Sequence, residues 1–215
     1  MLRPAATPKR RYTMRRRAAS AAATRRRILD AAVELFVARG YDAVTLALVA
    51  EQAAVSLQTV LRKFGSKDAL LMAASRSQRN EELAQRAVPA GDVGAVARVL
   101  ADRYEATGAT MMQFIALEER IAPVARVLRQ ARQAHRRWLA QMFERELPNP
   151  RDSLYARRLA QLFGATELYV WVSWRRRLGL SRAASERAMA ETLHALVASW
   201  ARGAPPRKRR DGHGC

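Results

Sequence analysis

The sequence predicts an all-α fold of about nine helices, and three observations support it. Apolar residues recur at helical spacing from Ile28 to Trp200, and no segment shows the period-2 alternation of a half-buried strand. The aliphatic residues are mostly Ala and Leu, with few β-branched runs, which favours helix. The helical stretches are separated by short breaks: Gly40, Gly65, Pro89-Ala90-Gly91, Gly108, Pro123, Pro148-Asn149-Pro150 and Leu178-Gly179-Leu180-Ser181. With 215 residues, 49% of them apolar, the chain can bury a sizeable core in one or two domains.

Residues 1–23 contain Pro4, Pro8 and basic residues at 3, 9–11 and 15–17, with nothing to bury, and read as a disordered basic arm. In the first helix Ile28, Leu29, Ala32, Val33, Leu35 and Phe36 share one face, and Gly40 ends it. Thr45 is the expected N-cap of a second helix with Leu46, Leu48, Val49 and Ala53 inside. Ser56 caps a third, very short helix from about Leu57 to Lys63, stopping near Gly65. Ser66 caps a fourth that reaches about Ala87. These elements make a first domain over 24–72, extended by the fourth helix. Helices over roughly 92–106, 109–120, 124–147, 151–178 and 181–202 make a second domain over 92–202. The tail from 203, with Pro205-Pro206 and Arg207–Arg210, reads as a second disordered basic segment.

The formal charge is +20, from 39 Lys and Arg against 19 Asp and Glu. Residues 1–70 hold 14 basic and 5 acidic residues, and the tail from 203 holds 4 and 1. Such an excess implies a polyanionic partner or nonspecific affinity for one. The single cysteine, Cys215, allows no disulfide within the chain, so a reducing cytoplasm is the expected location. No apolar run approaches the roughly 18 residues a membrane span needs, and the basic N-terminus is not followed by an apolar signal segment. His135, His194 and His213 are far apart, and no metal-ligand spacing, phosphate-binding glycine loop or nucleophile–base signature occurs. No enzyme activity, catalytic residue, metal or cofactor is therefore expected.

The third helix carries the functional information. It presents Gln58, Thr59, Arg62 and Lys63 and is braced by two apolar helices, the arrangement by which a small domain sets side chains into a DNA major groove. Phe36, Leu48, Val55 and Phe64 are expected in the core beneath it. Gln58 can pair with adenine N6 and N7, and Thr59 can touch a thymine methyl or a phosphate. Arg62, Lys63 and Lys67 are candidate phosphate contacts. Thr45 and Ser56 can bind a phosphate through hydroxyl and free N–H groups, or act as caps alone. Arg15–Arg17 or Arg25–Arg27 are candidates to enter a minor groove, against a mobile tail that only raises nonspecific affinity.

The segment Thr24–Leu71, through ILDAAVELFVARGYDAVT, VAEQAAVSLQTVLRKF and GSKDALL, resembles the helix-turn-helix DNA-binding domain of the tetracycline-repressor (TetR) family. The resemblance implies a transcriptional regulator, a repressor released from a near-palindromic operator on double-stranded DNA by a small-molecule effector, acting as a homodimer with a helical effector-binding and dimerisation domain. The alternative is a nonspecific nucleic-acid-binding architectural protein driven by charge. Four positions depart from the family pattern. Ala54 stands where Gly is usual in the turn, Leu61 where Tyr commonly reaches a phosphate, Leu57 where Lys is common and Gln58 where Gly is common.

In the second half, Met111, Phe114, Trp138, Met142, Phe163 and Trp171 are candidates for an effector pocket, against ordinary core packing. His135, among Arg132, Arg136 and Arg137, reads as a surface residue. Two apolar stripes, Leu159, Leu162 and Thr166 on one helix and Met189, Leu193, Leu196, Val197 and Trp200 on the last, are candidates for a four-helix dimer interface, against packing only within the monomer.

Overall fold

Ala-rich, β-branch-poor sequence gives an all-helical chain. The computed structural model describes residues 8–85 and 88–202. Nine α-helices occur among them: α1 Pro8–Ala43, α2 Leu46–Gln52, α3 Leu57–Phe64, α4 Lys67–Gln85, α5 Val93–Ala116, α6 Ala122–Met142, α7 Ser153–Ala165, α8 Leu168–Val172 and α9 Arg182–Arg202, with a π-helical turn over Ser173–Arg177. No helix of the described residues is long and apolar enough to cross a membrane.

The arm expected to be disordered is helical from Pro8 onward. Pro8 occupies a first-turn position where its missing N–H costs nothing, and the run from Ala18 to Thr24 is rich in the best helix former. Residues 1–7 and the basic tail from 203 lie outside the described residues. At the other end α1 kinks at Gly40, whose φ of 73° and ψ of 175° leave helical space.

The described residues form two units, one of 8–85 with 110–130, the other of 88–109 with 131–202. The first unit therefore takes in more than the contiguous segment expected from sequence. Its core holds Ile28, Ala32, Leu35 and Phe36 of α1, Val49 of α2, Val60 of α3 and Leu70 and Leu71 of α4. Val124 and Leu128 of α6 are buried in the same core, with Phe114 and Ile115 of α5 packed against it. The apolar face of residues 114–128 thus extends a core that the local helical period alone does not bound.

Polar ties pin this unit. Gln52 Nε2 donates to Glu34 at 2.6 Å, joining α2 to α1, and Arg26 meets Glu81 at 2.9 Å, joining α1 to α4. The Tyr41 ring stacks on Phe36 at 6.1 Å, and its hydroxyl donates to the Asp68 carboxylate. Burial, then the hydrogen bond to Asp68 and the charges of Asp68 and Asp42, raise the Tyr41 pKa from 10.0 to about 12. The folded state holds the phenol proton more tightly than the unfolded chain. That stabilisation is complete below pH 10 and is lost as pH rises through about 12. The stability difference between wild type and Tyr41→Phe is expected to close over that window in denaturant titrations. A pH-independent difference contradicts the assignment.

In the second unit Val96, Ala97, Leu100 and Ala101 of α5, Leu139 of α6, Leu162 of α7 and Met189 and Leu193 of α9 are fully buried. Three expected breaks moved. Helix α5 runs through Gly108, where an added Cβ would approach Leu168 Cδ1 to 3.2 Å, so this glycine serves close packing rather than a break. Helix α6 stops at Met142, whose carbonyl accepts the Gly91 N–H at 2.8 Å. The single helix expected over 151–178 divides at Thr166 and Glu167. There the buried Thr166 hydroxyl donates to the Leu162 carbonyl at 2.8 Å and the Tyr104 hydroxyl donates to the Thr166 carbonyl at 2.6 Å, satisfying backbone and side chain at the break.

Candidate nucleic-acid interface

The interface begins with two capped helices. Thr45, extended at φ −115° and ψ 158°, accepts the Leu48 N–H on its hydroxyl at 3.1 Å and starts α2. Ser56, at φ −74° and ψ 150°, accepts the Thr59 N–H at 3.2 Å and starts α3. Its Oγ also lies 2.9 Å from Thr59 Oγ1. Both cap hydroxyls are thus engaged at their helix starts, and the Thr59 hydroxyl is engaged by Ser56.

Between the helices, Ala54 adopts φ +50°, the only non-glycine among the described residues with positive φ. The left-handed turn that glycine ordinarily supplies is retained here at a steric cost. Ala54→Gly is expected to stabilise the fold by about 0.5–1 kcal/mol, read as a higher urea midpoint at unchanged slope. A lower midpoint would contradict a strained Ala54.

Val60 is the buried anchor of α3, and Phe64 packs partly against the same core. Gln58 and Arg62 are exposed, Thr59 is half-buried, and Leu57 and Leu61 are 42% and 38% exposed. Gly65, at φ 77°, ends the helix and donates its N–H to the Leu61 carbonyl at 2.8 Å.

The three expected cations are not equivalent. Lys63 is half-buried and its Nζ donates to the Ala21 carbonyl of α1 at 3.3 Å. Lys67 Nζ donates to the Asp42 carbonyl at 3.3 Å and sits 4.2 Å over the Tyr41 ring. Both ammonium groups already have partners in the fold, whereas Arg62 extends from the exposed face. Arg25 and Arg26 are also engaged: Arg25 lies 4.8 Å over the Phe64 ring, and Arg26 pairs with Asp30 and Glu81. They belong to α1 rather than to a mobile arm. The side chains of Arg15 and Arg16 lie outside the described residues.

The second-half candidates separate into groups. Phe114 packs on the core of the first unit, and Met111 belongs to that unit too. Trp138 and Phe163 come together around His135, at ring distances of 5.9 and 5.5 Å. Trp171 instead sits 6.2 Å from the Tyr104 ring and donates its indole N–H to Glu105 at 3.2 Å. Met142 is half-buried. His135 is not a surface residue: it is 8% exposed, with Nε2 2.9 Å from the Thr166 hydroxyl. Arg136 and Arg137, one and two positions on, are exposed because successive helical positions turn about 100° apart. Helical phase was the available signal, since His135, Trp138, Leu139 and Met142 share a face.

The candidate dimer stripes largely fold inward. Leu162, Thr166, Met189 and Leu193 are 0% exposed, and Leu159 and Trp200 are buried as well, in the single chain. Helix α7 packs on α9, so the stripes satisfy each other. Only Leu196 and Val197 of the set keep accessible surface.

Comparison with known proteins agrees with this geometry. Residues 28–74 match the model of the bacterial regulatory proteins, tetR family. An uncharacterised HTH-type transcriptional regulator of Bacillus subtilis, YvkB, is 48% identical over 48 residues, covering 22% of this chain and 25% of that protein. The match thus spans about a quarter of that curated relative. A transcriptional regulator from Rhodococcus has the same fold at 17% identity and a TM-score of 0.61, over 81% of this chain and 96% of that one. A tetR-family regulator from Streptomyces coelicolor matches at 20% identity and a TM-score of 0.60, over 83% and 89%. GusR of Salmonella enterica matches at 21% and 0.59, over 82% and 94%. Residues 28–74 thus carry a segment of the tetR family of bacterial regulatory proteins, and the fold is shared over most of the chain with solved regulators.

Proposed function

We propose that the chain is a sequence-specific DNA-binding transcriptional regulator. It acts in the cytoplasm as a homodimer and is released from a near-palindromic operator by a small molecule. The observation that carries this reading is α3: eight residues, capped by Ser56, anchored by Val60, with Gln58 and Arg62 exposed. Two such helices, one from each protomer, would enter successive major grooves about 34–36 Å apart. Gln58 is the base reader and Arg62 the main phosphate contact. Lys63 and Lys67 contribute positive charge, and Thr45 and Ser56 offer their helix N-termini.

An effector that bound one spacing of the two helices better than another would shift the population toward it. Trp138, Met142 and Phe163, with the polar pair His135 and Thr166, are the candidate contacts. Leu196 and Val197 remain the candidate dimer contacts of α9.

Electrophoretic shift on DNA upstream of the chain's own gene, with random duplex as competitor, tests the reading. A retained complex in excess random DNA at physiological salt is expected. Equal competition would favour the charge-driven architectural alternative. Light scattering at micromolar concentration is expected to report a dimer.

A further inference from the structure

The recognition helix carries an apolar pair that the polar roles above leave unused. At about 100° per residue, Leu57 and Leu61 lie roughly 40° apart on α3, between Phe64 on the core side and Gln58 on the outward side. Val60 and Phe64 turn to the core. Leu57 is 42% exposed and Leu61 38%, two of the few large apolar side chains that the described residues leave this open. Both stand on the eight-residue helix that exposes Gln58 and Arg62, and both keep this surface in spite of lying beside the core-facing side. Neither can donate or accept a hydrogen bond, so neither serves a phosphate or a base-edge donor.

In the major groove only thymine offers an apolar group, its C5-methyl. A leucine set against a cytosine amino group or a guanine carbonyl would desolvate it without replacing its hydrogen bond. We propose that Leu57 and Leu61 read thymine methyl groups, so that each half-site carries a thymine beside the base that Gln58 addresses. The inference rests on α3 being the recognition helix. The cationic surroundings, with Arg62 one residue beyond Leu61 and Lys63 after it, match a polyanion as the occupant of this face rather than an apolar protein partner.

The test separates the methyl from every other feature of the base. Preferred sites are selected from a random duplex library with the full chain, and each thymine is then replaced by uracil, which removes the methyl and leaves the pairing. At one or more thymines per half-site, binding is expected to weaken about fourfold for each methyl removed. Leu61→Ala or Leu57→Ala is expected to bring the thymine-to-uracil ratio at that position to about one, whereas Gln58→Ala keeps it. The substituted leucines are solvent-facing, and an unchanged thermal midpoint confirms that the variants fold. Equal binding of all uracil-substituted sites overturns the inference alone, as does a ratio preserved in both leucine variants. A selection that enriches no sequence overturns the DNA-reading function itself, and this inference with it.

Discussion

Val60→Asp is expected to unfold the first unit and abolish DNA binding. Val60 has no exposed surface and is the buried residue of α3, seated in a core with Ile28, Leu35, Val49 and Leu70. A carboxylate there would lose its hydration with no cation designed to meet it. An unpaired buried charge costs about 3–5 kcal/mol, a large part of the stability of a small domain. Helix α3 has eight residues, too short to persist without its packing. Circular dichroism and binding should therefore fail together. A variant that melts at the wild-type midpoint would mean that α3 is not held by Val60. Val60→Ala, which removes apolar bulk but no hydration, is expected to cost less, about 1–3 kcal/mol, and to retain measurable binding.

Arg62→Ala and Gln58→Ala are expected to fail in different ways. Arg62 extends from the exposed face, while the ammonium groups of Lys63 and Lys67 are engaged by the Ala21 and Asp42 carbonyls. Loss of Arg62 should weaken binding to all duplexes alike. It should also reduce the slope of log affinity against log salt by about two for a dimer, one phosphate contact per protomer. Gln58→Ala should leave that slope unchanged and lose about 1–3 kcal/mol of discrimination at one base pair per half-site. An Arg62→Ala variant with an unaltered slope would transfer the phosphate role to the two lysines. Lys63→Ala and Lys67→Ala are expected to lower thermal stability as well as affinity, because each also releases a tie within the fold.

Local signals told the truth where the physics is local. The caps at Thr45 and Ser56, the end at Gly65 and the turn at Ala54 depend on backbone geometry within a few residues, and each is found as the sequence indicates. The exposed Gln58 and Arg62 follow from the helical phase set by Val60 and Phe64. Signals failed where a contact lies far along the chain. Gly108 reads as a break but admits Leu168, sixty residues on. The Tyr41–Asp68 bond spans 27 residues and the Lys63–Ala21 bond 42, so neither lysine's engagement nor the tyrosine's raised pKa has a local signature.

The sequence by itself determined the all-helical class, the capped third helix and the tetR-type segment over residues 28–74, because helix propensity, capping and apolar period act within a turn or two. Tertiary structure alone decided which apolar faces meet. A stripe such as Met189, Leu193 and Trp200 is equally apolar whether it packs inside one chain or against a second, and only the fold shows that α7 covers it. Likewise a histidine among arginines looks solvated until the helix turns it onto Trp138, Phe163 and the Thr166 hydroxyl. Apolar burial is non-directional and takes the surface that comes within reach, and reach is a property of the folded chain.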